Sequence, residues 1–382
     1  MKRFALRNGK GKDTGMKIRS SAPGRICLFG EHQDYLGFPV IAAAISLRMT
    51  INGVVSPTLK DQLLLELPDI GATLEFVSSD IQYAHAKDYL RSVVKVLQKK
   101  ELYVPQSIRA CFRGTVPIQS GTSSSAALSV AWTGFLLLAA QVAGLDTTAF
   151  LNHPATMAEL AYEAEVVEFN ESGGRMDQYS SAFGGIIYLD FYKKMTATPL
   201  PLSSKIKEFV LGDSGQPKDT QKTLKRVRAA QEEGFAQLAH FLPGKESVSI
   251  AYEEAEPFFP KIAGELLPYL KAALRNHQIT DQAKKELLQS TPNVHHLSDL
   301  LNDHQNQLRD GLGISTAKID AMIDASLKAG ALAGKINGSG DGGCMFAFCP
   351  GKQMEVAEAI TRCGGTPYII EIGKGLEVVK LQ

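Results

Sequence analysis

Between Lys17 and about Glu66 the apolar residues come in short runs, KIRSSA and RICLF, then VIAAAI, MTINGVV and LLLEL, separated by Gly, Pro and Asp. Runs of strand length between turn-forming residues predict a mostly antiparallel sheet. The period then changes: Leu90, Val93, Val94 and Leu97 recur at helical spacing, which predicts a helix from about Asp88 to Lys99. A strand is expected over Ser107 to Thr115, a helical region interrupted by Pro154 from about Thr147 to Val167, and another strand at IIYLDF. The loop ESGGRMDQYSSAFGG leads into that last strand.

Ala126 to Leu145, AALSVAWTGFLLLAAQVAGL, is uncharged for long enough to cross a bilayer. Its Ser129, Thr133, Gln141 and two glycines, and the lack of a basic flank, predict instead a helix buried all round in a large core. After about residue 200 the character shifts to longer charged helices, among them DTQKTLKRVRAAQEEGFAQLAHFL and SDLLNDHQNQLRDGLG, and closes with short strands at KING, CMFAF, PYIIEI and LEVVKL. No fixed-period repeat occurs, so the pattern predicts an α+β chain of two domains, divided as residues 1–200 and 201–382.

Composition narrows the classes of partner. With 41 basic and 40 acidic residues among 382, the chain has no overall field to attract nucleic acid or an anionic membrane, and any anion site must be local. Five cysteines without a Cys-x-x-Cys pair suit a reduced compartment, and the cytoplasm is expected. The N-terminus is basic but lacks the apolar stretch of a signal peptide, and reads as a short tail. Oligomeric state is not legible.

GTSSSAALSV joins a glycine and four hydroxyls to the start of the apolar helix. Helix N-termini carry unpaired N–H groups and partial positive charge, so this loop suits a phosphate group, or is a serine-rich cap. No Walker-type P-loop occurs. GSGDGG, Gly338 to Gly343, lies between two strands and reads as a loop open to close backbone approach, or as a hairpin. Asp177 sits in the glycine-flanked loop as a candidate for orienting a hydroxyl, against a turn-capping role. Arg25 is a candidate for neutralising a phosphoryl group, against a surface ion pair. Of Glu163, Glu165 and Glu168, one suits Mg²⁺ and the others a solvated face.

Three segments in order, APGRICLFGEHQDY, PIQSGTSSSAA and KINGSGDGGC, resemble the three signature motifs of the GHMP kinases, a superfamily that includes galactokinase, homoserine kinase, mevalonate kinase and phosphomevalonate kinase. The resemblance spans nearly the whole chain. It implies ATP and Mg²⁺, an N-terminal domain like the second domain of ribosomal protein S5, a ferredoxin-like C-terminal domain, and an active site between them. The first segment looks most like the galactokinase signature, which implies Glu31, His32 and Asp34 as sugar ligands and Arg25 beside the transferred phosphoryl group. Met176-Asp177-Gln178 matches the family's Met-Asp-Gln, implying Asp177 as the catalytic carboxylate and Gly174 as a backbone contact of the sugar. By the same resemblance Gly121, Thr122, Ser123, Ser124 and Ser125, with Gly338 and Gly340, would hold the nucleotide, and Ser125 and Glu165 the magnesium.

The implied activity is an ATP-dependent sugar kinase acting on an anomeric hydroxyl, with galactose converted to galactose 1-phosphate as the leading case. The alternatives are a heptose, fucose or other sugar 1-kinase, a mevalonate-type alcohol kinase, and a non-catalytic sugar sensor. Two departures from the galactokinase pattern bear on specificity. Gln33 stands where galactokinases usually have threonine, and Gly173-Gly174-Arg175 replaces their Cys-Gly-Ile, more like heptose and fucose kinases. Gln33 and Arg175 are therefore the positions to watch for a different sugar preference.

Overall fold

The computed structural model describes residues 15–56, 61–118, 120–171 and 173–382. The expected N-terminal tail falls in residues 1–14, outside the described residues. Twelve strands are described: β1 Met16–Phe29, β2 Val40–Ser56, β3 Leu63–Leu67, β4 Ala72–Phe76, β5 Ser107–Gly114, β6 Ile186–Asp190, β7 Thr196–Leu200, β8 Glu208–Asp213, β9 Ala333–Ile336, β10 Cys344–Phe348, β11 Thr366–Glu371 and β12 Glu377–Leu381. The helices are α1 Tyr89–Lys99, α2 Ser124–Val142, α3 Thr148–Leu151, α4 Pro154–Tyr162, α5 Met176–Phe183, α6 Thr220–Ala239, α7 Tyr252–Ala255, α8 Leu267–Leu287, α9 Val294–Asn306, α10 Ala317–Lys328 and α11 Gln353–Arg362.

The larger sheet runs β12-β1-β2-β5-β3-β4, with β6 added beside β2 and β7 beside β6, and only β3 and β5 pair in parallel. KIRSSA and RICLF are one strand here, as are VIAAAI and MTINGVV. The two halves of β2 differ for a physical reason. Val40 to Ala43 pairs with β6 and is buried on both faces, Val40 and Ala42 toward the helices and Ile41 and Ala43 toward the second domain, so no polar alternation is needed. Met49 to Ser56 pairs with β5, where polar and apolar positions alternate.

The bilayer-length helix α2 lies in the core, with Trp132, Phe135 and Leu137 fully buried. Trp132 Nε1 donates to the Leu90 carbonyl of α1 at 3.0 Å and Thr133 Oγ1 to the Ser129 carbonyl one turn back at 2.7 Å. Pro154 opens α4, where its missing N–H costs nothing. Asp88 caps α1 by accepting from the Arg91 amide.

The smaller sheet runs β11-β8-β10-β9, all antiparallel, and in chain order its parts follow the β-α-β-β-α-β pattern of a ferredoxin-like domain. One core fills the space between the two sheets, joining Ile26, Phe29 and Ile45 to Phe209, Phe346 and Phe348. The expected split at residue 200 is crossed once: β12 returns to the larger sheet and pairs with β1 from Lys17 to Ser21.

Candidate active site

A cleft of about 1320 Å³ opens between the two domains, and most of the residues singled out from sequence line it. At one end is the N-terminus of α2. Ser123 holds the left-handed region at φ 60°, and its buried hydroxyl has no partner. An orphaned donor on strained backbone at the positive end of a long helix suits an anion, which supplies the missing hydrogen bond. Gly121, Ser124 and Ser125 also face the cleft. Thr122 does not: it is 1% exposed and its hydroxyl donates to the Pro117 carbonyl at 3.1 Å.

Beside this loop stand two cations. Arg25, from β1, donates through Nε to Asp177 Oδ1 at 2.9 Å and through Nη1 to the Gly121 carbonyl, tying carboxylate and loop together. Lys218 comes from the second domain, just before α6. A Cβ added at Gly121 would lie 2.6 Å from its Nζ, so the glycine leaves room for the ammonium. Burial and the nearby Arg25 lower the Lys218 pKa to about 8. Sequence reasoning missed this lysine because SGQPKDT carries no signal beyond a turn, and only the domain packing brings it to the loop.

Asp177 is not on a loop, as expected from its flanking glycines, but in the first turn of α5. That position pins the carboxylate from the backbone. Glu165 lies on a π-helical turn, Glu163–Val167, that continues α4 and is 7% exposed. Glu163 and Glu168 do not form the expected solvated face: both are half-buried and paired, Glu163 with Lys100 and Glu168 with Lys95 and Lys99, while Glu165 turns inward, accepting from Gln178 Nε2 at 2.9 Å. Burial raises its pKa to about 7, opposed by hydrogen bonds from Ser125 and Gln178. Ser125 and Glu165 are thus brought together, a hard-oxygen pair that suits Mg²⁺ beside phosphate.

At the other end is the loop after β1. His32, at φ 60°, donates from Nε2 to the Ser339 carbonyl at 2.9 Å, and burial lowers its pKa to about 4, leaving a neutral ring at pH 7. Asp34 faces Gly174 so closely that a methyl group there would overlap Asp34 Oδ2. Burial raises the Asp34 pKa to about 6, and the negative charge of Asp177 adds to the rise.

Glu31 touches the cleft wall but is 3% exposed, and its carboxylate is engaged by the fully buried Lys335. Neither position watched for sugar preference faces the cleft. Gln33 is fully buried and donates to the Pro39 carbonyl and to Thr280 Oγ1 on α8, while Arg175 donates to Glu159 at 2.9 Å and lies over the Tyr162 ring.

In GSGDGG the glycines pack against protein. Gly338 abuts Gly121 and lines the cleft; Gly340 does not, because Ile314 fills the space where a side chain would sit. Asn337, another residue missed from sequence, donates from Nδ2 to the Gly121 carbonyl at 2.9 Å.

The N-terminus of α2, Arg25, Glu165 and Asp177 from the first domain and Lys218 from the second line one cleft, an arrangement suited to phosphate chemistry. Family models agree: "GHMP kinases N terminal domain" matches residues 88–185, "GHMP kinases C terminal" residues 284–365, and "Galactokinase galactose-binding signature" residues 10–53. A mevalonate kinase of Thermococcus gammatolerans is 31% identical over 374 residues, 95% of this chain and 98% of that one. A galactokinase of Haemophilus influenzae is 26% identical over 391 residues, 95% of each chain. The crystal structure of Lactococcus lactis galactokinase complexed with galactose superposes with a TM-score of 0.76 at 22% identity, covering 96% of this chain and 95% of that one. The chain belongs to the GHMP kinases.

Proposed function

We propose that the chain is an ATP-dependent sugar kinase that phosphorylates an anomeric hydroxyl, with galactose as the first substrate to test. The observation that carries this reading is the charge at the acceptor end. Asp34 and Asp177 are carboxylates suited to accepting hydrogen bonds from hydroxyls and disfavour an anionic acceptor, and His32, its ring nitrogens bonded to Ser339 and Tyr35, is neutral and adds no positive charge. The match of residues 10–53 to a galactose-binding signature supports the same choice.

In this reading the ATP phosphates lie over Gly121 and Ser123 to Ser125. Ser125 and Glu165 hold Mg²⁺, which when bound neutralises phosphate charge. Asp177 orients the acceptor hydroxyl and receives its proton as the new O–P bond forms and the bond to the departing ADP breaks. Arg25 holds Asp177 in place and, with Lys218, offsets negative charge on the transferring group.

The second reading, a mevalonate-type kinase, is favoured by the 31% identity to a mevalonate kinase over 95% of this chain. An ADP-release assay with galactose, other hexoses, fucose, heptoses and mevalonate separates the two. Turnover of galactose or another free sugar supports the proposal. Turnover of mevalonate alone would replace it, and no ADP release with any of these acceptors would point to a non-catalytic sensor.

A further inference from the structure

Lys335 and Glu31 are 304 positions apart in sequence, yet they form an ion pair in which the lysine is 0% and the glutamate 3% exposed. Lys335 Nζ also donates to the Ile336 carbonyl at 3.0 Å and lies 5.3 Å from the centre of the Phe346 ring. His304 of α9 stacks on Phe29, and its Nε2 is 3.8 Å from Glu31 Oε2. A buried pair of this kind is a poor source of net stability, because desolvation offsets the attraction; its best-attested use is to fix register.

The surroundings show which register it fixes. β9 ends at Ile336 and the chain then bends through Gly338 at φ 82°, and three residues of this segment reach the same stretch of the first domain. Lys335 engages Glu31, Asn337 Oδ1 accepts from the Cys27 amide at 2.9 Å, and the Ser339 carbonyl accepts from His32 Nε2 at 2.9 Å. The loop so held is strained: His32, between Glu31 and Gln33, has a left-handed backbone at φ 60°. Such a conformation persists only where neighbouring contacts over-determine it.

We propose that Lys335 is a positioning residue for acceptor binding: by holding Glu31 it fixes the strained loop that presents His32 and Asp34, and it removes Glu31 from direct contact with the acceptor. The proposal rests on the reading that this loop faces the acceptor.

Lys335→Met alone leaves a buried carboxylate unpaired and is expected to fold poorly, so the informative variant is Lys335→Met combined with Glu31→Gln, which keeps side-chain volume and removes both charges. In the ligand-free double variant, hydrogen exchange at the Leu36, Gly37 and Phe38 amides, all bonded within the loop, should speed up by about ten-fold or more, with α2 unchanged. The galactose KM should rise about ten-fold while the ATP KM stays within about two-fold.

Unchanged exchange at those amides in a folded double variant would overturn the proposal, as would a galactose KM that the double variant leaves unchanged. Exchange needs no acceptor, so failure of the wild-type chain to phosphorylate galactose would remove the sugar reading while leaving the loop anchor decided by the exchange result.

Discussion

The two ends of the cleft are built differently. At the phosphate end the loop donors come from one short stretch, and their use follows from local physics: a small-residue loop at a helix N-terminus presents donors wherever that helix is placed. Lys218 and Asn337 are added to it by domain packing. At the acceptor end an equally compact cluster, GEHQDY, is split by the tertiary structure. His32 and Asp34 face the cleft, while Glu31 and Gln33 are turned into contacts with the second domain. A polar cluster in a loop therefore does two jobs at once, binding and anchoring, and spacing alone does not separate them.

Substitutions can test that contrast. The largest effect is expected where the two ends meet: Asp177→Asn should lower kcat by about 10³-fold with sugar binding largely kept, and near-normal turnover in that variant would reject its role. Lys218→Met should lower kcat/KM for ATP by about 10²-fold without raising the acceptor KM. Because the Lys218 pKa is lowered to about 8, its charge is lost as pH rises past that value, and activity should fall there. Lys218→Arg should retain most activity and move the alkaline limb upward; an unmoved limb assigns it to another group.

At the acceptor end, Gly174→Ala forces a methyl group against Asp34 and should raise the acceptor KM about ten-fold at constant ATP KM. A matched rise in both would mean that the two ends are not separable. A pH profile gives a subtler test. Asp34 has a pKa of about 6, raised by burial, so it is ionised above that pH and gains a proton as pH falls through it. The acceptor kcat/KM should decline on that side, and Asp34→Asn should remove this limb from whatever activity remains. The smallest effect belongs to Arg175. Its ion pair with Glu159 is half exposed, so Arg175→Gln should cost roughly 0–1 kcal/mol of stability and leave sugar preference unchanged. A changed preference would restore it as a specificity residue.

Much of the architecture was legible because it is written in short-range pattern. The strands β1, β2, β3, β5 and β6, the helix α1, the helical break at Pro154 and the buried α2 follow from period and punctuation. α5 was not, because glycines on both sides of MDQYSSAF read as loop signals, whereas the segment is a helix packed between α2, α4 and β1. The helices α8, α10 and α11, the strands β4, β7 and β8, and the return of β12 were not singled out either.

What the sequence determined by itself was the set of chemical groups: hydroxyls at a helix start, an arginine, an aspartate, a glutamate among three, and a polar loop after a strand. Each rests on residue type and near-neighbour spacing, which the chain carries locally. Only the tertiary structure decided which groups are used and how. Lys218, Asn337 and Lys335 reach the cleft or its walls from positions 97, 216 and 304 residues away from Gly121, Gly121 and Glu31, and Glu31, Gln33, Thr122, Gly340 and Arg175 are drawn into packing or pairing instead. Burial makes that decision. A buried charge or amide must find a partner, and which partner is available depends on how the two domains close over one shared core.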